Sequence, residues 1–248
     1  MARIKFLNTY IDNITMEEAV DRIDDIVQNE MGQYVVTPNV DHIVRLEKDA
    51  EFREIYRQAR LILTDGQPLV WISKWLRTPI VEKVSGSDLF PKICERAAYK
   101  GYRVFLLGAA EGVAAKAAEN LKRKYDGLNI VGVYSPPPGF EKDEREMQNI
   151  YDMLNSYKID ILIVGLGSPK QERFVFAARR YLQIPVSLNL GASIDFEAGR
   201  IKRAPKWVSR IGGEWLFRLI QDPKRLAKRY LVDDLTIFKI CLKYRKEK

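Results

Sequence analysis

The chain has 248 residues, 46% of them apolar, and carries a net charge of +8 with a pI near 9.3. That is enough to bury a full core in one large domain or a domain with an appendage, and it excludes general disorder. No run approaches the roughly eighteen apolar residues a membrane-crossing helix needs, and the opening MARIKFLNTYIDNIT lacks the apolar core of a signal peptide.

In chain order the sequence alternates helical periods with short β-branched runs. Helix is expected over 16–28, 41–57, 87–99, 112–124, 143–156 and 171–181, and strand over 34–36, 61–63, 103–107, 130–134, 160–164 and 186–189. Val104-Phe105-Leu106-Leu107 and Ile161-Leu162-Ile163-Val164 are apolar throughout rather than alternating. Such runs belong to strands buried on both sides, so the fold class is α/β: a mainly parallel, Rossmann-like sheet with helices on both faces. Ser135-Pro136-Pro137-Pro138-Gly139 reads as a stiff loop.

Past residue 199 no strand is expected. Pro205 suits a first helical turn, Trp207, Ile211 and Trp215 recur at spacing four, and Asp222-Pro223 reads as a cap opening a further helix toward Cys241. Residues 200–248 hold fifteen Lys and Arg against five Asp and Glu, a net +10, so the preceding 199 residues sum to −2. The division is thus an α/β catalytic domain over 1–199 and a basic helical appendage over 200–248. Its cations are interleaved with aromatics, which points to an anionic partner.

Four strand ends could carry chemistry. Gly165-Leu166-Gly167-Ser168-Pro169-Lys170-Gln171-Glu172 follows a buried strand and leads into a helix. It is either a ligand-binding βα turn, with Lys170 and Gln171 aimed at the crevice, or a plain tight turn. Gly108-Ala109-Ala110-Glu111-Gly112 either permits close helix packing or approaches a nucleotide. Thr37-Pro38-Asn39 either caps a helix or holds a polar substrate. Asp65-Gly66 is either turn chemistry or a carboxylate placed as a general base. His42, the one histidine, rules out HExxH. It suits a structural hydrogen bond at a helix start, or half of a dyad. Cys94 and Cys241 form no CxxC, which fits a reducing compartment without structural zinc.

Together these residues resemble the WecG/TagA/CpsF family of bacterial glycosyltransferases, glycosyltransferase family 26, most nearly its TagA-type members. The resemblance spans nearly the whole chain. It rests on Thr37-Pro38-Asn39, Asp65-Gly66, Gly86-Ser87-Asp88-Leu89, the Gly165–Glu172 run, Gly191-Ala192-Ser193-Ile194-Asp195-Phe196, Arg203-Ala204-Pro205 and Glu214-Trp215-Leu216-Phe217-Arg218-Leu219.

The resemblance implies an inverting transfer without metal or other cofactor. N-acetylmannosamine would pass from UDP-N-acetylmannosamine to the 4-hydroxyl of N-acetylglucosamine on undecaprenyl diphosphate, a step in building the wall teichoic acid linkage unit. The absence of Asp-x-Asp agrees with metal independence. Asp65 would be the base, and Thr37, Asn39, Gly167, Lys170 and Gln171 would meet the substrate. Lys83 stands where the family commonly has Arg, keeping the charge without the bidentate fork. Arg210, Arg218, Arg225 and Arg229 would face the diphosphate or an anionic membrane surface. A cytoplasmic protein, peripheral on the inner membrane face, is expected, and a homo-oligomer is left open.

Two rivals come from other classes. Nucleic-acid binding would use the basic aromatic tail, but zinc-finger spacing, an RRM signature and a recognition-helix pattern are all missing, so nucleic acid is not expected as a partner. A nucleotide-dependent oxidoreductase would need GxGxxG at a glycine turn, and neither turn has it. Within the family, UDP-glucose or a uronic-acid relative of the donor remains an alternative.

Overall fold

The continuously apolar runs become one parallel sheet. In the computed structural model, which describes residues 3–205, 208, 213–228 and 234–246, six strands lie side by side: β3 (Gln33–Val36), β4 (Leu61–Ile62), β5 (Arg103–Gly108), β6 (Asn129–Tyr134), β7 (Ile161–Gly165) and β8 (Val186–Asn189). Their spatial order is β4-β3-β8-β7-β5-β6, and every pairing is parallel. All six expected strands are present within a residue or two.

Alternate residues of each run serve opposite faces. Val35, Leu61, Val104, Leu106, Ile161, Ile163 and Val186 pack with α1 (Met16–Asn29), α5 (Gly86–Lys100) and α6 (Val113–Lys124). Val36, Ile62, Phe105, Leu107, Leu162 and Val164 pack on the other face with α2 (Val40–Lys48), α3 (Ala50–Arg57), α7 (Glu144–Ser156) and α8 (Lys170–Ala178). Burial on both sides is why the strands tolerate no polar alternation.

Three details depart from the sequence reading. The helix expected over 41–57 is two helices, because the Asp49 carboxylate accepts the Phe52 N–H at 2.9 Å and caps a new start. A further helix, α4 (Gln67–Trp75), opens at Gly66 with Pro68 in its first turn. The first residues form an antiparallel hairpin, β1 (Arg3–Phe6) with β2 (Thr9–Asp12).

The hairpin guards the sheet edge. Asp12 accepts the Ile62 N–H at 2.8 Å and is held by Arg3 through contacts of 3.1 and 2.9 Å. An edge N–H that would otherwise face outward is thus satisfied. Asp12→Ala strands that N–H and leaves the Arg3 guanidinium only the Ala59 and Arg60 carbonyls, and should lower stability by about 2 kcal/mol in urea denaturation.

After a short helix, α9 (Ser193–Glu197), the described C-terminal helices are α10 (Glu214–Gln221), α11 (Pro223–Lys228) and α12 (Thr236–Lys246). Trp207 and Ile211 of the expected stripe lie outside the described residues. Residues 234–235 form a turn, so the helix opening at Pro223 does not run unbroken to Cys241. Helix α12 buries Ile237, Ile240 and Cys241 in the layer that holds α2. Lys243 pairs with Glu47 at 2.6 Å, Tyr244 donates to Glu47 at 3.2 Å, and the Arg245 guanidinium lies 4.4 Å from the Trp75 ring centre.

Burial raises the Glu47 carboxyl, but hydrogen bonds from Lys243, Asn8 and Tyr244 outweigh it and hold it below the usual glutamate range. A depressed carboxyl stabilises the fold above its unfolded value, and that contribution vanishes as pH falls through the folded one. The thermal-stability advantage of the wild type over Glu47→Gln, present at neutral pH, should therefore close on acidification below that range.

Candidate active site

The carboxyl ends of all six strands open into one cleft of about 1410 Å³. Thr37 and Asn39 enter it after β3, Asp65 after β4, Ala109 to Gly112 after β5, and Ser135 to Pro138 after β6. Gly165 to Ser168, Lys170 and Gln171 follow β7, and Leu190 to Ser193 follow β8. Ligands gather at this edge of a parallel sheet because backbone turns and helix starts face it together.

Backbone hydrogen bonds lock the first two strand ends to one another. The Asp65 N–H donates to Pro38 O at 2.8 Å, and the Val84 N–H donates to Thr64 O at 2.9 Å. Asp65, half-buried, is thereby fixed beside the Thr37-Pro38-Asn39 loop. The buried Thr37 hydroxyl donates to the Asn189 carbonyl at 3.1 Å, so part of its role is to tie β3 to β8. Asn39 caps α2, its Oδ1 lying 2.7 Å from His42 Nδ1 and accepting the His42 N–H. The capping reading of Asn39 therefore holds, and the residue still lines the cleft.

On the other side, Gly108 and Gly165 bring two turns into contact. They are register partners on β5 and β7, and a Cβ on Gly108 would come within 2.5 Å of the Gly165 carbonyl. Ala109 then donates its N–H to Gly165 O at 2.9 Å. The Ser135 hydroxyl bonds Gly108 O and Ala110 O at 3.1 and 3.2 Å, stitching the proline loop to the same wall. The Gly108 turn thus shows close packing, and the residues after it, Ala109 to Gly112, line the cleft.

Gly167, at φ +78°, and a cis Ser168–Pro169 bond lead into α8. The start of that helix faces the cleft through Lys170 and Gln171 and offers the positive end of its dipole. The Lys170 ammonium is paired with Glu141 at 3.0 Å and sits over the Phe140 ring. Gln171 is buried and donates Nε2 to Glu172 Oε1 at 2.9 Å.

Lys83 does not line the cleft wall. It is held by Asp88 at 3.2 Å and Glu214 at 3.8 Å. Burial lowers its ammonium, but Asp88, Glu214 and Asp65 together hold it above the usual lysine value. It therefore joins the body to α10 beside Asp65. Glu214, Gln221, Asp222 and Leu226 place α10 and α11 against the cleft. Arg218 and Arg225 lie on those two helices, whereas Arg210 and Arg229 lie outside the described residues.

Several buried polar atoms at these strand ends have no hydrogen-bond partner among the described residues: Thr64 Oγ1, Ser168 Oγ, Gln171 Oε1, Glu172 Oε2 and Asn189 Oδ1. Each such atom costs about 1–3 kcal/mol when buried unpaired, so their gathering at one edge marks a polar site. Sequence reasoning did not find the contributions of the proline loop, Phe140, Ser87 or Leu190.

The chain belongs to a family of sugar-transferring enzymes: the model of the glycosyl transferase WecG/TagA/CpsF family matches residues 4–248. Its curated relatives include the N-acetylglucosaminyldiphosphoundecaprenol N-acetyl-beta-D-mannosaminyltransferase of Bacillus spizizenii (strain ATCC 23059 / NRRL B-14472 / W23). That protein is 34% identical over 78% of this chain and 73% of its own length. Proteins of the same name are 30% identical in Bacillus subtilis (strain 168), over 80% of this chain and 75% of theirs, and 27% identical in Staphylococcus aureus (strain MW2), over 92% and 88%.

Proposed function

We propose that the protein transfers N-acetylmannosamine from UDP-N-acetylmannosamine to the 4-hydroxyl of N-acetylglucosamine on undecaprenyl diphosphate. The transfer inverts the anomeric centre, needs no metal, and serves wall teichoic acid linkage-unit synthesis. The observation that carries this reading is the single cleft. It gathers Asp65, Thr37, Asn39, Gly167, Lys170 and Gln171 at the strand ends of a chain in this family.

In this mechanism the acceptor hydroxyl is the nucleophile and Asp65 takes its proton as it attacks the anomeric carbon, so no covalent enzyme intermediate forms. The bond to the departing UDP breaks from the opposite face. Charge gathering on the diphosphate is met by the α8 dipole and by the arginines of the tail, Arg218 and Arg225 first. Thr37, Asn39 and Gln171 hold the sugar.

The acceptor's lipid places the reaction at the cytoplasmic membrane face. No helix among the described residues is long and apolar enough to cross a membrane. Trp71 and Trp75 on α4 and Phe238 and Leu242 on α12 are exposed beside Lys239, Arg245 and Lys246. Such a surface suits an anionic interface, where each cation contributes about 1 kcal/mol.

The test is UDP release from UDP-N-acetylmannosamine with a lipid diphosphate-N-acetylglucosamine acceptor in anionic vesicles, with and without EDTA. Equal release in both arms is expected. Release only with UDP-glucose or a UDP-uronic acid would change the donor. No release with any UDP-sugar, alongside salt-sensitive DNA binding, would overturn the reading.

A further inference from the structure

The first turn of α8 buries a carboxylate that the transfer itself does not use. Glu172 is 1% exposed, and its Oε1 takes two contacts: His42 Nε2 at 3.4 Å and Gln171 Nε2 at 2.9 Å. His42, 5% exposed, reaches with its other ring nitrogen to Asn39 Oδ1 at 2.7 Å. A continuous chain of contacts, Asn39–His42–Glu172–Gln171, therefore runs along the cleft from the β3 loop to the β7 loop. Its two ends are cleft-lining amides, the buried His42 also meets the cleft, and the buried Glu172 does not.

The imidazole has little freedom to choose other partners. It lies 6.0 Å from the Phe52 ring and 6.3 Å from the Tyr56 ring, centre to centre, both on α3. Which face of an amide meets a ligand depends on which of its atoms is already committed to the protein. Asn39 commits Oδ1 to His42, and Gln171 commits Nε2 to Glu172 while its Oε1 has no partner among the described residues.

Taking a carboxylate out of water is costly unless it is paired and hydrogen-bonded. Burial pushes the Glu172 carboxyl up, and the bonds from His42 and Gln171 outweigh this and keep it below the usual range. A hydrophobic pair would fill the same space without that cost. What the polar pair adds is a fixed donor and acceptor pattern.

We propose that His42 and Glu172 are positioning residues that set the Asn39 and Gln171 amides and couple one to the other, so that both present a single arrangement to the transferred sugar. This rests on the reading of the cleft as the sugar site. It assigns the protein's one histidine to orientation rather than to proton transfer, and makes the acid after Gln171 part of donor selection.

A double-mutant cycle tests it, with UDP release read as KM for UDP-N-acetylmannosamine against kcat. Glu172→Gln and His42→Gln should each raise the donor KM about tenfold, because a committed partner is lost and an amide can turn. Combined with Asn39→Ala, His42→Gln should add little further, and so should Glu172→Gln combined with Gln171→Ala, since in each case the amide it sets is gone. His42→Asn places an amide near the Nδ1 position and should recover part of the affinity. Lower melting temperatures with unchanged KM, full additivity in these pairs, or loss of fold in both single variants would overturn the proposal in favour of a purely structural pair. A wild type that releases no UDP would instead remove the sugar-site reading itself.

Discussion

Asp65→Asn should lower turnover about a thousandfold, in the middle of the range a positioned general base contributes, while UDP-sugar binding stays near normal. The backbone at this position is set by the Asp65 N–H to Pro38 O and by the Val84–Thr64 bond next to it. An isosteric amide therefore keeps the local structure and removes only the proton acceptor. The neighbouring charges respond as well: Asp65 is one of three carboxylates that hold the Lys83 ammonium up. Its removal leaves Asp88 and Glu214 to do so, which limits the structural consequence. Single-turnover UDP release and calorimetric titration with UDP-sugar separate the two roles. Near-normal turnover would remove Asp65 as the base, and joint loss of binding and turnover would make it a ligand-holding residue instead.

The second large effect falls on the cleft's frame. Gly108→Ala should destabilise the protein by about 3 kcal/mol, the sum of an unfavourable φ and a forced separation of packed backbone. Gly108 sits at φ +117°, and the new methyl would lie 2.5 Å from the Gly165 carbonyl, backbone that cannot swing away as a side chain can. Relief requires the β5 and β7 turns to part, which breaks the Ala109–Gly165 bond and moves Gly167. Urea denaturation should register the loss, and UDP release should fall with it. Gly112→Ala is the comparison. Its φ is +76° and nothing lies within 4 Å of the added carbon, so only the conformational cost of about 1 kcal/mol remains.

What could be read from the sequence follows from how each signal arises. The strands were legible because a sheet buried on both faces has to be apolar residue by residue, as at Ile161 to Val164. Thr37, Asn39, Asp65 and Gln171 could be placed at strand ends from the sequence, and the cleft brings all four together, but spacing left their roles open and only the family resemblance suggested them. The hairpin was not, since Arg3–Phe6 and Thr9–Asp12 are short and mix charge with apolar residues. Helical periodicity runs straight across Asp49, so only its capping bond to Phe52 shows that the helix restarts.

Long-range pairing was the least legible. His42 meets Glu172 across 130 residues, and Lys83 meets Glu214 from a distant helix. Nothing local to either residue announces its partner. The charge of the tail was plain in composition, but the docking of α12 depends on Glu47, which reads in isolation as an ordinary solvated acid.

The position of β8 bears on how the molecule comes into being. Although it is the last of the described strands, it sits between β3 and β7, with Asn189 bonded to both the Thr37 hydroxyl and the Val35 carbonyl. During synthesis, β3 with β4 and β5 with β6 and β7 can form only two separate half-sheets. Residues 186–189 are the keystone that joins them. The cleft straddles that joint, so no complete binding surface exists on the nascent chain until β8 has been made. The sheet is therefore completed by four residues in one late step, and the remaining cleft walls, from Leu190 to Leu226, follow it.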